Sequence, residues 1–313
     1  MYKYNFALFC KSFRGDFDRA RTLKESIDTF NADALPFVMV VPESDYQMFS
    51  ALRHGHEKYD FILMTDEQVL QENGIQIPQG GVKQSWSAQQ IIKMGFYKTN
   101  LARFYAIYDS DAYFIANFHM SDYMYNDDVP YIIYNDALSS TMAHRQFRAT
   151  EYFGRRGKPY DFVHLSQVFS SNVLRHMADN LLAPQQMTFV DLIKIHPYEF
   201  DWYGEYVMHI DAYPIKLSMG RLKQYFYNEE YRADRRRGIR VSDLVKMGYN
   251  AIGMQRGWVA HAQYRNPWYG KFARTRRAVY NKIHSSHKRD PLRLLILVLW
   301  RIPTWTIREF IRA

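Results

Sequence analysis

An apolar run that stops on two carboxylates, one residue apart, constrains this chain more than any other feature. In Ala106-Ile107-Tyr108-Asp109-Ser110-Asp111-Ala112-Tyr113-Phe114-Ile115, the opening residues read as a buried central strand, and a second apolar run follows. Carboxylates are costly to bury unless paired or bound to a cation. Hard divalent cations take oxygen ligands, and magnesium keeps few protein carboxylates alongside substrate phosphates. Asp109 and Asp111 are therefore candidate metal ligands. Asp and Ser also favour turns, so the motif alone is equally compatible with a plain turn.

The lead-in fits a parallel sheet. Tyr4–Cys10 reads as a strand. Asp16 is a candidate N-cap for a helix to about Phe30, with Phe17, Ala20, Leu23, Ile27 and Phe30 at helical spacing. Pro36–Val41 is a second strand, a short helix runs from Pro42 to about Leu52, and Phe61–Met64 is a third strand. This β-α-β-α-β order predicts a parallel sheet with helices on its faces. Ligands of such sheets sit outside the carboxyl ends of the strands. The Lys11–Asp16 loop and Asp109–Asp111 both lie at such ends.

A loop with Gly74, Pro78, Gly80 and Gly81 precedes a helix over Trp86–Met94. That helix puts Gln90, Lys93 and Tyr97 on one face, either toward phosphate and sugar hydroxyls or toward solvent. Further on, Tyr131–Tyr134 reads as a strand and Ser139–Phe153 as helical. If the segment after Ile195 is helical, Glu199 and Tyr203 share a face. Ala212–Leu217 and Asn250–Met254 read as strands, and Arg232–Arg240 as a charge-rich connector.

The 313 residues allow one large α/β domain with an appendage, or two modest domains. The single cysteine, Cys10, excludes an internal disulfide and a cysteine-based zinc site. The start lacks the pattern of a signal peptide, and there is no apolar run of about 18 residues to span a membrane. The net charge of +9 is uneven: residues 265–313 hold twelve Lys or Arg against Asp290 and Glu309. The body, residues 1–264, is close to neutral, so no argument for nucleic acid follows from overall charge. The boundary expected is thus a catalytic domain over 1–264 and a basic, aromatic tail over 265–313. Leu292–Trp305, with Arg293, Arg301, Trp300 and Trp305, suits an amphipathic helix on an anionic membrane surface through residues 290–313. The same stretch also suits packing on the catalytic domain or on a second subunit.

Taken together, the opening Leu8–Asp16, Val40-Val41-Pro42, Trp86 with Gln89-Gln90 and Lys93, Asp109-x-Asp111, and Glu199 with Tyr203-Gly204 resemble bacterial GT-A-type glycosyltransferases. More narrowly they are similar to a bacterial group classed as a domain of unknown function, DUF6492. The resemblance covers about residues 4–265. It implies an α/β, GT-A-like (Rossmann-like) mostly parallel sheet flanked by helices, and a glycosyltransferase moving a hexosyl or related group. The donor implied is a nucleotide-sugar, the cofactor Mn²⁺ or Mg²⁺, and the acceptor a glycan or lipid-linked glycan for capsule or lipopolysaccharide. Asp111 would hold the metal, Asp109 the metal or the donor ribose, and His261 would be a third metal ligand. Lys11, Ser12, Gln90 and Lys93 would line the nucleotide-sugar site. Glu199 and Asp201 are the candidate catalytic carboxylates. The place expected is cytoplasmic, peripheral at the inner face of the membrane, with no nucleic-acid partner. Two other classes stay open: a non-enzymatic nucleic-acid binder using the tail, and a metal-dependent nucleotidyl- or phosphotransferase, though no P-loop motif is present.

Overall fold

The structure is a computed structural model that describes residues 1–55, 57–73, 82–135, 149–156, 160–226 and 228–254. The strands are β1 (Tyr4–Lys11), β2 (Phe37–Val41), β3 (Phe61–Thr65), β4 (Ala102–Asp109), β5 (Ala112–Phe114), β6 (Met124–Asn126), β7 (Val129–Ile133), β8 (Gln167–Ser170), β9 (Lys216–Ser218), β10 (Leu222–Tyr225) and β11 (Ala251–Met254). The helices include α1 (Phe17–Phe30), α2 (Tyr46–Ser50), α3 (Asp66–Asn73), α4 (Val82–Gly95), α5 (Ser171–His176), α6 (Phe189–Ile195), α7 (Glu199–Ile210), α8 (Asn228–Arg236) and α9 (Val241–Lys246). Among the described residues, no helix is long and apolar enough to cross a membrane.

The main sheet has the order β3-β2-β1-β4-β8. Its first four strands are parallel, and β8 closes the edge antiparallel to β4. The strand period of two assigns the faces. Ala7, Phe9, Val38, Val40, Tyr105, Ile107 and Phe169 enter one core with α4, α5, α6 and α7. Phe6, Leu8, Cys10, Phe37, Met39, Val41, Phe104, Ala106 and Val168 enter the other, under α1 and α2. The expected β-α-β-α-β lead-in and mostly parallel sheet are both present.

Two local expectations differ from what forms. A strand expected over Ala212–Leu217 forms only as β9, Lys216–Ser218. The strand expected to stop at the paired carboxylates does so: the chain turns at Ser110-Asp111, and the second apolar run, β5, leaves for another sheet, β10-β11-β5. Pairing of β5 with β11 satisfies its backbone there. The Asp-x-Asp is thus a strand end and a turn at once. Arg232–Arg240 is also not a plain connector, because α8 runs into it as far as Arg236. Helix over 139–148, the tail from 265 and His261 lie outside the described residues.

Candidate active site

Lys11 and Asp109 are the last residues of β1 and β4, and the register sets them side by side. Alternation turns both toward the face that α4 and α7 cover. α4 supplies the cation for this edge. Lys93 Nζ lies 2.7 Å from Asp109 Oδ1 and 3.0 Å from Glu199 Oε1. The Phe200 ring sits 5.0 Å from the same ammonium, and Tyr105 Oη donates to the Lys93 carbonyl at 2.8 Å. Lys93 and Glu199 are buried, whereas the Asp109 side chain is 24% exposed, so the charge chain opens to solvent at Asp109. Burial pulls the Lys93 pKa down, but Asp109 and Glu199 outweigh it and hold the ammonium above its ordinary range. Burial pushes the Glu199 carboxyl up, against the opposing pull of Lys93.

The hydrogen-bond network sets the orientation of the Gln90 amide. Its nitrogen donates to both Glu199 oxygens at 2.5 Å, and its oxygen accepts from Trp86 Nε1 at 3.1 Å. Residues 86, 90 and 93 follow helical spacing, so one face of α4 leads from a partly exposed indole to the strand-end carboxylate. α7 is fixed just as firmly. Tyr203 Oη accepts from the Ser170 amide at 2.7 Å, and its ring stacks on Phe169 at 4.2 Å. Gly204 lets the Phe162 ring lie against the helix, where any Cβ would collide with it. Glu199 therefore starts a helix locked onto β8, at the end whose dipole favours a carboxylate.

At the neighbouring strand end, Lys11 Nζ pairs with Asp66 Oδ1 at 3.0 Å and donates to the Ser12 carbonyl at 2.6 Å. Burial raises the Asp66 carboxyl to about 6, in spite of Lys11. The Ser12 hydroxyl is buried and has no hydrogen-bond partner among the described residues. Arg14 binds Asp45 through its backbone amide and Nε, both at 2.7 Å, which pins the first loop to the end of β2.

Gln90, Lys93, Asp109 and Glu199, drawn from three separate segments, thus meet in one cluster. Lys11 and Ser12 occupy the adjacent strand end, and Asp111 lies in the turn after β4. Asp201 takes another direction: its Oδ2 is 2.9 Å from His196 Nε2, and both side chains are buried. Sequence reasoning misses Asp66, although the carboxyl-end rule points to Thr65-Asp66 after β3 as it does to Asp109. It also leaves Trp86 and Phe200 without assigned contacts; the helical spacing of 86 to 90 is the signal that marks the first.

The residues present fit a divalent cation. Asp109 and Asp111, one residue apart where β4 ends in its turn, offer two carboxylates as hard oxygen donors, and the Asp109 side chain is 24% exposed. Two carboxylates with substrate phosphates are the usual magnesium complement. Among the described residues, no three His, Cys, Asp or Glu side chains converge as a ready-made metal cluster.

Residues 8–237 match a family of unknown function, DUF6492. No curated protein matches the chain in sequence. A galactosyltransferase, LgtC, solved in complex with donor and acceptor sugar analogues, superposes with a TM-score of 0.50 at 14% identity, covering 86% of this chain and 95% of that one. Mouse xyloside xylosyltransferase 1 gives 0.48 at 11% identity, over 82% of this chain and 99% of its own. The bifunctional glycosyltransferase WbbM gives 0.46 at 8% identity, over 81% of this chain and 46% of its own. The likeness to the galactosyltransferase is one of fold: a mixed α/β GT-A architecture with a central, mostly parallel sheet.

Proposed function

Because this chain belongs to the DUF6492 family and has the GT-A fold, we propose that it is a metal-dependent glycosyltransferase. It moves a sugar from a nucleotide-sugar donor to a hydroxyl of a glycan or lipid-linked glycan. The observation that carries this reading is Lys93 bridging Asp109 and Glu199 beneath the Asp-x-Asp turn, at the ligand-binding edge of a parallel sheet.

Asp111, with Asp109, would hold Mn²⁺ or Mg²⁺; bound there, the ion supplies Lewis-acid stabilisation of the leaving diphosphate. Lys93 aims the Asp109 carboxylate and adds fixed positive charge near the leaving group. Lys11 and the unpartnered Ser12 hydroxyl serve the nucleotide at the next strand end. Glu199 has both oxygens engaged by Gln90 and one by Lys93, so we assign it the positioning of those two side chains. As a general base it would first have to part from both. The tail composition supports a peripheral place at the inner face of the cytoplasmic membrane, where nucleotide-sugars meet lipid-linked acceptors for surface polysaccharide. A truncation at Asp290 that floats with anionic vesicles as well as the full chain does would refute the tail's part in this.

The donor is tested by thermal shift with UDP-, GDP-, CMP- and ADP-linked sugars, with and without Mn²⁺. One nucleotide class is expected to raise the unfolding midpoint in the presence of Mn²⁺. No response to any class under either condition overturns the proposal.

A further inference from the structure

The α8–α9 corner carries an exposed surface that the transfer reaction does not use. Its backbone is built from one motif used twice. The Ile239 amide donates to the Asp234 carbonyl at 3.0 Å and the Gly238 amide to the Arg235 carbonyl at 3.1 Å. The Tyr249 amide donates to the Leu244 carbonyl at 3.0 Å and the Gly248 amide to the Val245 carbonyl at 2.9 Å. Gly238 and Gly248 take φ values of 78° and 93°, so each helix ends in a Schellman cap that requires glycine. Inward, Leu244 and Ile239 pack with Tyr225, Tyr231 and Ile252.

Outward, the corner shows three aliphatic side chains. Val241, Val245 and Met247 are 44%, 38% and 61% exposed. The two valines are four residues apart on one side of α9. Arg235, Arg236, Arg237, Arg240 and Lys246 are exposed around them. The nearby acids are already engaged. Asp234 accepts from Tyr225 Oη at 3.0 Å and lies 3.6 Å from Lys223 and 3.8 Å from Arg237. Asp243 accepts from the Arg240 amide at 2.9 Å and lies 4.0 Å from Lys246. Over residues 228–248 six Lys or Arg stand against four Asp or Glu, so the corner keeps a positive excess around an apolar centre.

We infer that this corner is a docking surface for an anionic lipid bilayer, distinct from the tail. Aliphatic side chains ringed by cations match the headgroup boundary of a membrane. A nucleic-acid surface would instead present aromatic rings for base stacking, and Val241, Val245 and Met247 provide none. The placement is purposeful. The corner rests on the β10-β11-β5 sheet, β5 begins directly after Asp111, and the Met254 amide donates to the Asp111 carbonyl at 3.0 Å. Lipid held by the corner is thereby tied to the sheet that continues from the Asp-x-Asp turn.

A probe at residue 245 isolates this surface from any contribution of the tail. Cys10, the chain's one cysteine, is buried and its thiol is pushed up by burial. A Val245→Cys variant of the full chain therefore takes an environment-sensitive fluorophore at one place. With vesicles of mixed phosphatidylglycerol and phosphatidylcholine, the emission is expected to shift to the blue. Pure phosphatidylcholine should leave it unchanged, and high salt should reverse it. Each cation near an anionic surface strengthens binding about fivefold, so Arg235→Ser, Arg236→Ser and Arg237→Ser together should weaken the vesicle titration about a hundredfold. Vesicles that float the labelled protein without moving its emission would overturn the inference. So would a shift produced by a duplex oligonucleotide but not by anionic vesicles. Neither result bears on sugar-nucleotide binding, which is read separately by thermal shift.

Discussion

Lys93→Met tests the electrostatic logic of the site without any knowledge of the substrate. Lys93 is 1% exposed, and its ammonium contacts both Asp109 and Glu199. Removing it leaves Glu199, itself 2% exposed, with Gln90 to stabilise its charge. Breaking a buried ion pair from one side costs about 3 to 5 kcal/mol. At about 2 to 4 °C per kcal/mol for a domain of this order, the unfolding midpoint should fall by about 10 °C. The loss should depend on pH. Without Lys93, the folded-state pKa of Glu199 rises still further above its unfolded value. Stability is then retained below the unfolded pKa and lost as pH climbs through the folded one. The deficit should accordingly be small near pH 4 and full at pH 8. Replacing the stranded carboxylate as well, in Lys93→Met/Glu199→Gln, should restore about 2 kcal/mol at pH 8, because the fully buried charge is gone and Asp109, 24% exposed, is left in reach of solvent. Urea unfolding of the three proteins at both pH values reads each difference. A single variant within about 1 kcal/mol of the parent at pH 8, or a double variant no better than the single, rules out Lys93 as the compensating charge.

Other substitutions report on the surrounding frame. Gly204→Ala drives a methyl group into the Phe162 ring and should cost about 1 to 3 kcal/mol in urea unfolding, with an unchanged far-UV spectrum. Burial holds His164 down to about 4, so the parent should lose about 3 kcal/mol as pH falls from the unfolded pKa through that value; a His164→Gln variant should show a flatter profile. Asp66 has the opposite sign: raised to about 6, it gives stability that is complete below its unfolded pKa and lost as pH rises through 6. Measured from pH 4 to 7, the balance should move toward Asp66→Asn by about 2 to 3 kcal/mol.

Local patterns in the chain reveal much of this arrangement, and elementary physics separates what they reveal from what they hide. Strand period and turn residues place the ends of β1, β3 and β4, and the carboxyl-end rule then names Lys11, Asp109 and Asp111 as neighbours. Helical spacing puts Gln90 and Lys93 on one face of α4. What such patterns do not carry is the partner across space. That Lys93 bridges Asp109 to Glu199, some ninety residues further along, depends on how α7 docks, and that docking is decided by Tyr203 on Phe169 and by Gly204 under Phe162. Asp201 illustrates the same limit. It lies two residues from Glu199, yet the helix turns it about 200° away, toward His196. The antiparallel β8 is hidden because its four residues are all buried, show no alternation and run straight into the helix that follows. Gly238 is a usable mark for α8, since a glycine after a basic last turn is a helix stop signal.

Metal-dependent glycosyl transfer at the Asp-x-Asp turn stands or falls on turnover by the full chain and by Asp111→Ala. Both proteins are incubated with the panel of nucleotide-sugars and Mn²⁺, and release of free nucleotide is followed. Turnover of one nucleotide class by the parent is expected, with loss of that turnover in a chelator and a rate at least about a hundredfold lower for Asp111→Ala. Equal turnover by Asp111→Ala, or turnover indifferent to the chelator, would contradict metal-dependent transfer at this turn.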